Sequence, residues 1–382
     1  MARPSRIVLV ALILGCAGPL LVFLRANTTN FPPSSYSYTL VPSPPFSLPT
    51  SSSCSPPGVK HLKSNQIFWD KEERGVEELA EDWAGSTWTS SEELPFLLFV
   101  HIPKTAGSSF KQLLWHLCDG RGGVVHNNQR FDFLGWSAEK QNSYCGLYGH
   151  FGIGIAEEEE WKVEKPGAYI TFLRDPVSRT VSQYNYARRV NPLKFENSCL
   201  LLAGVRCVNH VSVSVRLRLQ SITFDQFLSA KEKQKHFGPW SCINPATSQL
   251  ARFWGKKGGE FAQPKLTRED LQRAKARLTA PMEKGGIELL GLVERYEDSI
   301  RMMEFKLGRR FPSALVGKET NKSRRPTDIH VPDLSDAQLR QIRRMSELDL
   351  ELYEFGRKVF EARYAAMKGR ILQQDPRMEG TL

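Results

Sequence analysis

Apolar runs alternate with amphipathic ones through most of the chain, and the alternation sets the fold class. Leu97–His101 is a short apolar stretch ending in a histidine; Ala168–Leu173 (AYITFL) and Ile287–Val293 (IELLGLV) are two more. Runs of this length, bounded by turn residues, read as buried strands. Helical periodicity follows the first over Phe110–Leu117 and the second over Pro176–Ala187, with Pro176 in a first-turn position. A long helix is expected over Leu334–Tyr364, opened by a Ser335-x-x-Gln338 capping box. Strands alternating with helices predict an α/β fold with a central, mostly parallel sheet flanked by helices.

The N-terminal pattern is different. Ile7–Leu24 is an uncharged run of about the minimum length for a bilayer-spanning helix, with Arg3 and Arg6 before it. The expected layout is a cytoplasmic tail at 1–6 and a transmembrane signal anchor at 7–24. A cleaved signal peptide is the competing reading, with small residues at Gly15, Ala17 and Gly18. Either one sends the remainder into the secretory pathway. Residues 25–92 read as stem and lead-in. Ala26–Ser64 is rich in Pro, Ser and Thr and cannot bury a core, while Asn65–Glu93 is acidic and carries tryptophans. The folded domain is expected over 93–370, followed by a short tail at 371–382. Sequons at Asn27 and Asn321 offer N-glycan sites.

Composition narrows the partners. The chain has 382 residues, 41% of them hydrophobic, which is enough for one sizeable core. Its net charge of +11 suits nucleic acid, a phosphorylated ligand, an anionic membrane or an acidic polysaccharide; a soluble basic surface fits equally. Of seven cysteines, Cys16 lies in the apolar run. Cys54, Cys118, Cys145, Cys199, Cys207 and Cys242 lie beyond it, an even number in an oxidising compartment. Cys199–Cys207 brackets a short loop and is the favoured disulfide; the other pairings stay open. No C-x-x-C or Cys/His ladder suggests zinc, and no metal is expected.

The candidate chemistry starts where the first strand ends, in FVHIPKTAGSSFKQLL. A loop between a buried strand and a helix N-terminus is a ready anion site. Gly107 admits a close ligand, Ser108 and Ser109 can cap or donate, and Lys104 adds a mobile charge. The nucleotide-triphosphatase pattern G-x-x-x-x-G-K-[ST] is not matched, because Lys104 precedes the only glycine. A polar turn with a helix cap is the plain alternative. A second corner, YITFLRDPVSRTVSQYNYAR, places Arg174 at a strand end and Ser182 two turns into the next helix. Forked donors and a hydroxyl suit a second phosphate, although Arg174 could instead pair with Asp175.

Together, HIPKTAGSSF and FLRDPVSRTVSQY resemble the 5′-phosphosulfate and 3′-phosphate binding segments of the Golgi membrane carbohydrate sulfotransferases, with the heparan sulfate 6-O- and 2-O-enzymes nearest. The resemblance continues through Asn244-x-Ala246-x-x-Gln249, LLGLVERYEDSI and LDLELYEFGRKVFEARY, covering most of Leu94 to about Tyr364. It implies a P-loop-like sulfotransferase fold and a type II Golgi membrane protein with a lumenal catalytic domain. It also implies 3′-phosphoadenosine 5′-phosphosulfate (PAPS) as donor, no metal, and an acidic glycan rather than nucleic acid as partner. Carried over, Lys104, Thr105, Ala106, Gly107, Ser108 and Ser109 would cradle the phosphosulfate, with Lys104 steadying charge on the leaving oxygen. Arg174 and Ser182 would grip the 3′-phosphate.

The acceptor hydroxyl needs a base, and imidazole suits that task. His150, in YCGLYGHFGIG, resembles the Gly-His of the 2-O enzymes, whereas Tyr148 stands about where the 6-O enzymes keep their histidine. His126 is the reserve candidate, and His101 reads as a strand-end hydrogen-bonding residue. Arg179, Arg188, Arg189 and Lys194 are candidates for an acceptor cleft, or a solvated charged face. Gly317–Thr327 has the position of a loop over the nucleotide, with Lys318, Arg324 and Arg325 near phosphate. The expected function is sulfuryl transfer to a glycan hydroxyl. Protein-tyrosine sulfation and a catalytically silent lumenal glycan-binding protein are the alternatives.

Overall fold

The computed structural model describes residues 8–12, 20–24, 75–88, 94–119, 122–125, 130–189, 223–232, 243–251, 265–316 and 328–375. Two compact units emerge, Met1–Asp70 and Lys71–Leu382.

In the first unit, β1 (Val8–Leu12) and β2 (Leu20–Leu24) pair antiparallel, with Val8 opposite Leu24 and Leu12 opposite Leu20. The described parts of the 7–24 run are these two strands, and the transmembrane helix expected there is not among the described helices. No described helix is long and apolar enough to cross a membrane.

The second unit is built on five strands. These are β3 (Phe96–Val100), β4 (Val124–Val125), β5 (Gly146–Gly149), β6 (Gly167–Leu173) and β7 (Ile287–Leu292). Their spatial order is β4-β5-β3-β6-β7, and every pairing is parallel. All five residues of β3 and all six of β7 are buried, as expected of strands covered on both faces. In β5, two glycines flank Leu147 and Tyr148, so its sequence gives little strand signal. Gly146 is required there, because a Cβ would come within 2.6 Å of the Leu97 carbonyl oxygen of β3.

The helices that matter for the site are α1 (Val76–Gly85), α2 (Gly107–Leu117), α3 (Pro176–Arg189), α4 (Phe224–Glu232) and α5 (Pro245–Ala251). They continue with α6 (Arg268–Thr279), α7 (Tyr296–Leu307), α8 (Asp336–Met345) and α9 (Glu347–Gln374). The lead-in contributes α1, whose Trp83 is buried and donates from its indole to the Glu288 carbonyl at 2.8 Å. The single long helix expected from Leu334 is two helices that break at Ser346. The break lets Ile342 and Met345 pack with Val177, Val181, Tyr184 and Phe227, while Leu352, Val359 and Phe360 enter the main core. The predicted capping box at Ser335 and Gln338 is present.

One disulfide is described, Cys118–Cys145, which ties the end of α2 to the start of β5. The favoured Cys199–Cys207 pair lies outside the described residues.

The strand order creates the crevice. From β3 the chain leaves through α2 toward β4 on one side; from β6 it leaves through α3 toward β7 on the other. Adjacent parallel strands whose connections diverge open a cleft at their carboxyl ends. The Lys104 and Arg174 corners are those two exits.

Candidate active site

The β3–α2 loop holds an unusual backbone. Lys104 (φ 69°) and Ala106 (φ 60°) both adopt the left-handed region, which costs a non-glycine residue roughly 1 kcal/mol or more. Such strain, repeated at alternate residues, marks a loop whose shape is imposed for a purpose. Thr105 is buried and its hydroxyl donates to the Ile102 carbonyl at 2.8 Å, stapling the loop from within. Ala106 is the N-cap of α2 and provides no side-chain cap; Ser108 and Ser109 fall inside the first turn instead of capping it. The start of the helix thus has no side-chain cap at Ala106, the setting in which helix N-termini meet anions, while the Ser109 amide donates to the Ala106 carbonyl at 2.9 Å.

Gly107 serves a purpose the sequence did not disclose. A Cβ there would lie 1.9 Å from Nε2 of His101. The imidazole of His101 is packed beneath the helix start, stacked with Phe99, Tyr148 and His150 at ring separations of 5.7, 5.6 and 4.4 Å. Burial first, then the charges of His150 and Lys104, hold the His101 pKa well below 6.5. The ring therefore stays neutral in the fold while it protonates in the unfolded chain. Its contribution to stability is intact above about pH 6.5 and is lost progressively as pH falls toward the depressed native value. Urea unfolding between about pH 7 and about pH 5.5 should show this loss, and a His101→Gln variant should show less of it.

The second corner meets the first. Arg174 Nη1 donates to the Lys104 carbonyl at 3.2 Å, and the Lys104 ammonium lies 3.9 Å from the Tyr186 ring centroid on α3. The Asp175 carboxylate turns to its own helix: it accepts from the Ser178 amide at 2.7 Å, capping α3 behind Pro176. Ser182 is half-buried, one helical turn before Tyr186.

His150 follows β5 and is buried. Its Nδ1 stands 2.6 Å from the His101 carbonyl oxygen. A carbonyl only accepts, so the proton belongs on Nδ1 and the lone pair of the neutral ring is on Nε2. The same carbonyl accepts from Gln249 Nε2 at 3.3 Å, which also donates to the Phe151 carbonyl at 3.1 Å. Gln249 thereby ties α5 to the loop on each side of His150.

Asp349, in the first turn of α9, organises this arrangement from behind. Its carboxylate accepts from the Ala246 amide, the Thr247 amide and hydroxyl, and Arg179 Nη2, all within 3.1 Å. Asn244 Oδ1 accepts in return from the Asp349 amide at 2.9 Å. Arg179 is thus spent on a buried ion pair, with each side chain about 1% exposed, and is withdrawn from the predicted acceptor cleft. Its position three residues into α3 turns it toward α9. Asp349→Asn keeps the shape but weakens the charge-assisted bonds. It should cost about 2 kcal/mol in urea unfolding. The segments Asn244–Gln249 and Leu348–Tyr364 were visible as similarities; their meeting at Asp349 was not.

Arg188 lies 5.5 Å from the Tyr184 ring centroid. His126, Lys194, the Arg189 side chain and Gly317–Thr327, with Lys318, Asn321, Arg324 and Arg325, lie outside the described residues, as does Asn27. Among the described residues no cluster of His, Cys, Asp or Glu could hold a metal ion.

Comparison with known proteins agrees with this geometry. Residues 90–356 match the model of the Sulfotransferase family. The chain is 24% identical over 290 residues to heparan sulfate 2-O-sulfotransferase 1 of Gallus gallus, covering 69% of this chain and 70% of that one. It is 25% identical over 295 residues to the Mus musculus protein of the same name, covering 71% and 72%. With both strand-to-helix corners inside the matched span, the chain belongs to the Sulfotransferase family.

Proposed function

We propose that this protein transfers the sulfuryl group of PAPS to a hydroxyl of an acidic glycan, of the heparan sulfate 2-O or 6-O type. The observation that supports the reading is the hydrogen bond from Arg174 to the Lys104 carbonyl, which joins the two strand-to-helix corners. A donor with a 5′-phosphosulfate and a 3′-phosphate needs both. In this reading the loop from Lys104 to Ser109 cradles the 5′ end through its amides, while Arg174 and Ser182 hold the 3′-phosphate. Thr105 contributes through its backbone, since its hydroxyl is committed to Ile102.

In the transfer, the acceptor oxygen attacks sulfur, and its proton passes to Nε2 of His150. The bond between sulfur and the bridging oxygen breaks, and adenosine 3′,5′-bisphosphate departs with that oxygen. The Lys104 ammonium offsets the charge that builds there. His150 is aimed by the His101 carbonyl, and Gln249 fixes that carbonyl.

A glycan acceptor is favoured over a tyrosine by the names of the two relatives and by the net charge of +11. The same reading puts the enzyme in the Golgi lumen as a type II protein. In a bilayer the 7–24 run would have to become helical, because unpaired strand edges are costly in lipid. The test supplies radiolabelled sulfate donor and a panel of glycans and tyrosine peptides to the purified chain. Label in an acidic glycan is expected. Label in the peptides alone, or none in any acceptor, overturns the reading.

A further inference from the structure

Lys104 and Tyr186 form a contact that neither fold nor donor binding requires. Tyr186 is 40% exposed, one of two large hydrophobic side chains so open among the described residues, and the Lys104 ammonium caps its ring at 3.9 Å. We propose that the Tyr186 ring is a stacking platform for a pyranose of the acidic acceptor, and that Lys104 covers it until the donor draws the ammonium away. The inference deepens the proposed function and rests on it.

The chemistry of the surroundings fits a sugar. An aromatic face carries partial negative charge and attracts either a cation or the polarised C–H face of a pyranose. Tyr186 borders Tyr148 closely enough to help push the Tyr148 phenol upward, after burial has done most of that. Tyr148 OH lies 3.4 Å from His101 Nδ1, and His101 stacks on His150. Lys111, whose ammonium lies 5.7 Å from the Tyr148 ring centroid, supplies positive charge for an acceptor carboxylate or sulfate.

The cover is weak enough to lift. A partly exposed cation–π contact changes an equilibrium by roughly two- to fivefold. A phosphate with charge-assisted bonds competes with it readily. Donor binding then uncovers the ring, and the coupling is reciprocal: glycan strengthens nucleotide binding by the factor by which nucleotide strengthens glycan binding.

The test measures binding of a heparin-derived oligosaccharide to the full chain with and without saturating adenosine 3′,5′-bisphosphate. In the wild type the nucleotide should tighten oligosaccharide binding roughly two- to fivefold. Tyr186→Phe keeps the ring and should keep the coupling. Tyr186→Leu should lose it and raise the acceptor KM, while binding adenosine 3′,5′-bisphosphate at least as tightly as the wild type does; that last readout also reports an intact fold. Equal oligosaccharide affinity with and without nucleotide in the wild type overturns the proposal, as does unchanged coupling in Tyr186→Leu. Failure of the wild type to bind the nucleotide at all refutes the donor reading itself, and the proposal with it.

Discussion

Replacing Lys104 with alanine is expected to lower sulfate transfer by about 10²–10³-fold, the range seen when one donor to a developing anion is removed. Stability should hardly move, for three reasons. The left-handed conformation at φ 69° is as costly for alanine as for lysine, so the strain is unchanged. The anchor from Arg174 goes to the backbone carbonyl and survives the substitution. The cation–π pair with Tyr186 disappears, but at an exposed site it is worth only about 0.5–1 kcal/mol. Steady-state transfer measured beside urea unfolding separates the two effects. Wild-type turnover in this variant would remove Lys104 from the chemistry.

His150→Asn should cost about 10²–10⁴-fold in turnover, the usual range for a general base. Asparagine places an amide N–H near the position of Nδ1, so the bond to the His101 carbonyl can persist while Nε2 disappears. The stack on His101 at 4.4 Å goes with the ring, and a modest fall in stability follows. Adenosine 3′,5′-bisphosphate should bind as before, because both of its proposed grips lie on other corners. Turnover of the variant at the wild-type rate would exclude His150 as the base. Weakened nucleotide binding equal to the loss of turnover would make it a positioning residue.

The parts of this fold that were legible in the sequence share a physical feature: their signal is local. The runs FLLFV, GAYITFL and IELLGL are buried on both faces and so read as uninterrupted apolar strings. Pro176 marks a helix start, and the structure begins a helix there, with Asp175, read in the sequence only as a possible partner of Arg174, as its cap. What escaped is non-local. β5 begins on Gly146 because the Leu97 carbonyl crowds that position from the next strand. Asp349 is one acid among many in α9 until α3 and α5 bring it Arg179 and three donors. Arg179 looked like a surface charge for the same reason.

The site divides in the same way. Lys104 and Arg174 were singled out at the ends of two predicted strands, and His150 by its Gly-rich setting and its resemblance to the Gly-His of the 2-O enzymes; the structure brings Lys104 and Arg174 into contact. Gly107 has a further role that its motif does not carry. Its missing Cβ makes room for the His101 ring, a residue six positions earlier that only the folded loop turns back beneath it. The pairing of Lys104 with Tyr186 spans two corners of the sheet and leaves no mark in either motif.

The assignment rests on a single nucleotide bridging both corners. The affinity of the purified chain for adenosine 3′,5′-bisphosphate, measured calorimetrically against adenosine 5′-phosphate, decides it. The bisphosphate should bind at least tenfold more tightly, about 1.4 kcal/mol or more from the charge-assisted bonds of Arg174 and Ser182. Equal affinity for the two nucleotides would mean that the second corner holds no phosphate, and the bridge would be refuted.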